Sequence, residues 1–235
     1  MNNIERAQVL SEALPYIRAF SKKAVVIEYN DKAIKTLELK KAAISDIVLL
    51  SLVGVRVIVV YGYEDAAGKE IVSLITSEGA KAFSFSGLDA SLFTAEKGEL
   101  VSINPELINV ALDNGFIPVI TAVARGDDRE YNINATSAAM ELAVRLDAEK
   151  LILLTDSSGV QNKDGSLISE LYLSQVRRLM KEGIISGEMI HRVDCCVKAV
   201  RKGVPRAHIL DGRVPHSILV EMLTDAGIGT MILHD

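Results

Sequence analysis

KLILLT, residues Lys150 to Thr155, sets four consecutive large aliphatic side chains between a lysine and a threonine. A half-exposed strand would break such a run with a polar residue at every second position. A short strand buried on both faces suits it, and that is how the strands of a parallel sheet read. RVIVVY, Arg56 to Tyr61, repeats the pattern. Working outward, further strands are predicted at Ala24–Tyr29, Lys81–Ser84, Ile117–Ala122, Arg206–Leu210 and Gly229–Leu233.

Longer amphipathic stretches fill the gaps. Ile4–Phe20 has apolar residues at helical spacing, with Pro15 predicting a kink or break. Leu37–Leu52 runs to Gly54, Lys69–Glu78 to Gly79, and Pro105–Asp113 to Asn114 and Gly115, each a fitting helix end. Ser174 is predicted to cap a helix through Lys181, and Asn162–Gly165 (NKDG) to turn a hairpin between two short strands. Strands alternating with helices predict an α/β fold with a largely parallel sheet covered by helices.

The chain has 235 residues, 49% of them hydrophobic and 24% charged, with a net charge of −5. That balance argues against a general nucleic-acid or membrane-surface binder, while local arginines still allow an anionic small molecule. No apolar run is long enough to span a bilayer, and the N-terminus lacks the order of a signal peptide, so a cytoplasmic location is expected. The adjacent Cys195 and Cys196 point about 100° apart on a helix and are expected to be reduced packing thiols. His191, His216 and His234 show no metal-ligand spacing, and no protein-held metal is expected.

Ten stretches in order resemble acetylglutamate kinase, the amino acid kinase family member that phosphorylates the side-chain carboxylate of N-acetylglutamate with ATP in arginine biosynthesis. They include EALPYI (Glu12–Ile17), DIVLLSLVG (Asp46–Gly54), GFIPVI (Gly115–Ile120), YNINA (Tyr131–Ala135), AEKLILLTD (Ala148–Asp156) and HILDGRVPH (His208–His216). The resemblance implies one three-layer αβα sandwich. It further implies an N-terminal oligomerisation helix (residues 1–20), an acyl-amino acid lobe (21–125) and a nucleotide lobe (126–235).

Phosphoryl transfer is catalysed mainly by positioning and by neutralising charge around the moving group. The family's first strand ends in Lys-x-Gly-Gly, where this chain has Glu28-Tyr29-Asn30-Asp31. Its glycine-rich loop after the second strand is reduced here to Gly62, followed by Tyr63, Glu64 and Asp65. A unit charge about 4 Å from a phosphate oxygen is worth roughly 4 kcal/mol at an effective dielectric of 20, and each ~1.4 kcal/mol is tenfold in rate. Reversing the sign at Glu28 is therefore expected to cripple transfer. Glu28, Asp31, Glu64 and Asp65 together would make an acidic mouth that disfavours a polyphosphate.

The departures continue elsewhere. Several dozen residues after Asp65, including a substrate-clamping arginine of the family, have no counterpart. Thr136 stands where the family has an aspartate, and Arg192 where it has a second lysine. Arg192 keeps the charge without the compact ammonium geometry.

Other positions match. Asn132 corresponds to a substrate-binding asparagine, or serves as a turn residue before the next helix. Asp156 and Gly159 match the nucleotide-side loop, or simply end a strand. Tyr16, Lys181, His208, Glu221 and Gly227 resemble the positions at which the arginine-sensitive branch binds its inhibitor.

Two readings follow. The first is a non-catalytic paralogue, regulatory or scaffolding, sensing arginine as a dimer or hexamer or co-assembled with an active kinase. No cofactor is assigned to it. The alternative is an active ATP- and Mg²⁺-dependent kinase of N-acetylglutamate or another small acid, using Arg192.

Overall fold

The computed structural model describes residues 2–62, 65–225 and 227–235. In chain order the elements are α1 (Asn3–Phe20), β1 (Ala24–Tyr29), α2 (Leu37–Leu52), β2 (Arg56–Tyr61), α3 (Asp65–Ser77) and β3 (Lys81–Ser86). Then come β4 (Phe93–Glu96), β5 (Glu99–Ile103), α4 (Glu106–Asp113), β6 (Phe116–Thr121), β7 (Val123–Arg125) and β8 (Glu130–Asn132). The remainder is α5 (Ala135–Arg145), β9 (Lys150–Thr155), β10 (Glu170–Tyr172), α6 (Leu173–Lys181), α7 (Glu188–Arg201), β11 (Arg206–Asp211), α8 (Ser217–Leu223) and β12 (Thr230–Leu233).

Eight strands form the main sheet in the order β10-β12-β11-β9-β1-β2-β6-β3. Only β11 and β12 run antiparallel. Side chains alternate between two cores. Val26, Ile58, Val60, Leu151 and Leu153 pack under residues of α5 and α7. Val25, Ile27, Val57, Val59, Ile152 and Leu154 pack under α2 and α8. Both faces of the central strands are thus covered, the αβα sandwich that an unbroken aliphatic run demands. Each such side chain gives roughly 1.5–3 kcal/mol on burial.

Some expectations need correction. α1 is one helix through Pro15, with no break there. Proline removes a single hydrogen bond, which a helix of 18 residues can lose and still continue. α3 starts four residues early, at Asp65, and includes Gly68 because a Cβ there would come within 2.0 Å of Tyr61 Oη. Ser174 is not the cap of α6. Tyr172 is, its N–H donating to Gln175 Oε1 at 3.1 Å, while the Ser174 hydroxyl donates to Asp235. The Asn162–Gly165 turn joins one bridged pair, Gln161 and Leu167, instead of two strands.

A second sheet, β5-β4-β7-β8, was not anticipated. Cys195 and Cys196 are free and buried on α7. No helix among the described residues is long and apolar enough to cross a membrane.

Candidate functional site

The main sheet changes direction at β1, which has β2 on one side and β9 on the other. Loops leaving the carboxyl ends of such strands diverge and open a crevice. A cleft of about 620 Å³ lies there. Its walls include Glu28 and Tyr29 of β1, Gly62 after β2, Asn134 and Thr136 at the start of α5, and His191 and Arg192 of α7.

Glu28 is 6% exposed. Its Oε1 accepts a hydrogen bond from Thr136 Oγ1 at 3.0 Å, and its Oε2 is buried without a hydrogen-bond partner. Burial pushes the carboxyl up to about 7, against the pull of the Thr136 hydrogen bond and the Arg192 charge. Asn134 caps α5 by accepting from Ser137 N at 3.1 Å. Its Oδ1 lies 3.0 Å from His191 Nε2, which also stands 3.4 Å from Ser137 Oγ and 3.7 Å from Cys195 Sγ. Burial raises the Cys195 thiol, so the contact does not make an activated nucleophile.

Arg192 is largely enclosed, with Asp156 Oδ1 and Glu188 Oε2 both 3.7 Å from its guanidinium. The site therefore holds a buried acid and an enclosed cation on facing elements.

Glu28, Thr136, Arg192 and Gly62 meet in this cleft, and Asp31 lines it as well. Of the remaining acidic-mouth residues, Glu64 and the Asp65 side chain lie outside the described residues. Asn132 is not among the cleft's lining residues. It sits exposed at the end of β8, opposite Val123, and Asn134 takes the place by the ligand space. Asp156 follows β9, with its side chain mostly exposed. Gly159 has φ +123°, and a Cβ on it would come within 2.5 Å of Thr230 Oγ1, a packing reason for glycine.

A second cavity, of about 380 Å³, opens between α1 and the α8–β12 region. Tyr16, Phe20, Lys150, Glu221, Asp225 and Gly227 line it. Tyr16 Oη donates to Asp225 Oδ1 at 2.5 Å. Lys150 is buried with its ammonium 4.9 Å over the Phe20 ring, and burial lowers its pKa. Behind the cavity, Nδ1 of the buried His208 is 2.9 Å from Glu221 Oε1, a short but misaligned approach that leaves both ring nitrogens without a good hydrogen bond. Burial lowers the imidazole's pKa despite the carboxylate. Lys181 is not brought to this cavity: it lies on α6 beside Arg177 and Arg178, in a separate groove.

Sequence reasoning missed His191 as a wall of the cleft and the pairing of His216 Nδ1 with the fully buried Asp46 Oδ1 at 2.7 Å. An aspartate inside the apolar run DIVLL was the available signal for that pairing.

The chain matches the family model "Amino acid kinase family" over residues 65–211. Acetylglutamate kinase from Clostridium kluyveri is 39% identical over 282 aligned residues, covering 99% of this chain and 100% of that one. The Clostridium beijerinckii acetylglutamate kinase is 41% identical over 283, covering 99% of each. Alignments this long against 235 residues leave several dozen positions of each relative without a counterpart. Among solved structures, N-acetylglutamate synthase from Neisseria gonorrhoeae, complexed with coenzyme A and N-acetyl-glutamate, superposes with a TM-score of 0.86 at 23% identity. The overlap covers 97% of this chain and 63% of that one. An isopentenyl phosphate kinase has a TM-score of 0.68 at 16% identity, covering 89% of this chain and 99% of that one. The two structures support the fold alone.

Proposed function

Because this chain belongs to the amino acid kinase family, as a shortened acetylglutamate kinase-like member, we propose that it serves arginine biosynthesis as an acetylglutamate kinase-type protein and takes its ligands in the cleft at the end of β1. Identity of about 40% along the whole chain to acetylglutamate kinases carries this reading. It supports ATP- and Mg²⁺-dependent phosphorylation of the side-chain carboxylate of N-acetylglutamate.

The residues present fit the nucleotide under one condition. Arg192 supplies a cation for phosphate oxygens, Asp156 an exposed carboxylate for the divalent ion, and Gly62 a backbone with no atom of the described residues within 4 Å of where its Cβ would be. Glu28 opposes a polyphosphate when ionised and tolerates it when protonated. With its carboxyl pushed up to about 7, both states are populated near neutrality.

One observation favours a second reading, a non-catalytic paralogue: a buried carboxylate occupies the end of β1, where the family resemblance calls for a lysine. A coupled assay of ADP release with ATP, Mg²⁺ and N-acetylglutamate decides between them. Release that depends on N-acetylglutamate supports the kinase. Binding without release supports the paralogue, and no binding of either ligand sinks both.

The cavity beside α1 supports arginine as an effector in either reading. Glu221 offers a carboxylate to a guanidinium, and Tyr16 and Gly227 wall the space.

A further inference from the structure

The orphaned oxygen of Glu28 asks for a particular chemistry. Among the described residues, Glu28 is the one carboxylate with a buried oxygen that lacks a hydrogen-bond partner. The terminal carboxylate torsion of glutamate is soft, so a small rotation can turn Oε2 toward the cleft while Oε1 stays near Thr136. In its ionised form that oxygen is satisfied by a hydrogen-bond donor, and a cationic N–H makes roughly twice as strong a bond as a neutral one. An N-acylated amine offers only a neutral amide N–H, and a phosphate offers none. Across the cleft, Arg192 presents a planar fork suited to a carboxylate, with its acidic neighbours held at 3.7 Å, beyond direct hydrogen-bond distance. One wall thus wants a cationic donor and the other an anion.

We propose that this cleft binds a small zwitterion of the α-amino acid class, with its free ammonium on Glu28 and an acid group on Arg192. The proposal rests on the cleft being a ligand site, as in the reading above, and does not require turnover. It differs from that reading in the nitrogen: an acetylated amine cannot carry the charge that Glu28 selects. The cleft's roughly 620 Å³ leaves room for the side chain.

Three probes that differ at one position test it by isothermal titration of the full chain: L-glutamate, N-acetyl-L-glutamate, and glutarate, which lacks the nitrogen. Glutamate is expected to bind at least tenfold more tightly than the other two. Glu28→Gln, confirmed folded by circular dichroism, should abolish that preference, whereas Arg192→Gln should weaken all three alike. Equal or tighter binding of the acetylated compound to the unaltered protein overturns the proposal, as does a preference that survives Glu28→Gln or the absence of binding by any probe. Turnover of N-acetylglutamate by a protein that disfavours glutamate would reject this inference and keep the kinase. Glutamate binding without ADP release would do the reverse.

Discussion

Glu28 keeps its proton in the folded chain to a higher pH than an unfolded glutamate does, because burial raises it from 4.5 to about 7. Below about 4.5 the side chain is neutral in both states and costs nothing. Between the two values the unfolded chain releases the proton first, so stability falls as pH rises, by roughly 3 kcal/mol in all. Replacement by glutamine should flatten that part of the pH–stability curve in urea titrations from pH 4.5 to 8. A slope unchanged by the substitution would show that Glu28 is ionised in the folded chain. The same proton sets an expectation for catalysis: any N-acetylglutamate-dependent ADP release should rise as pH falls through 7, since neutral Glu28 no longer repels phosphate. Gly68 gives a test of packing. Alanine is normally better than glycine inside a helix by about 1 kcal/mol. Here its Cβ would meet Tyr61 Oη at 2.0 Å and Ser84 Oγ at 2.7 Å, around a hydroxyl that also bonds Thr121. Gly68→Ala should therefore destabilise by about 1–3 kcal/mol, read as a lowered urea midpoint.

At the scale of elements, α1 is anchored at its C-terminal end. Phe20 is buried and Tyr16 bonds Asp225, whereas Ile4 is 79% exposed and Leu14 44%. Ala7 and Leu10, at helical spacing between Ile4 and Leu14, have side chains outside the described residues. The expectation for such a stripe is packing against a second copy of itself. We expect removal of residues 2–20 to break that pairing, read as a lower mass in light scattering. It should also abolish any rise in Tm with arginine, because Tyr16 and Phe20 wall that cavity. An unchanged mass with an unchanged arginine response would refute both roles. The elements that were easiest to read share a cause. β1, β2, β9 and β11 are buried along almost their whole length, so burial alone wrote their aliphatic runs. β4, β5, β7 and β8 are three to five residues long, and β5 and β8 have no fully buried residue, so neither run length nor alternation marks them.

At the scale of the whole molecule, the cleft was legible where chain position places a residue and illegible where geometry does. Glu28 sits near the end of β1, Gly62 just after β2, Thr136 at the start of α5 and Arg192 in the second turn of α7, and the four line one cleft. His191 enters because α7 turns it toward Asn134, and Lys181 leaves because α6 faces another groove. Neither orientation is encoded in spacing alone. One further feature bears on how long a guest stays. Only Gly62 to Glu64 separate β2 from α3, and three residues reach at most about 10 Å. That connection is too short to arch over the cleft mouth as a lid. Enzymes that make hydrolysable intermediates close such mouths to exclude solvent and retain the cargo. A connection of this length leaves the shielding of any acyl phosphate formed at the end of β1 to other elements of the chain.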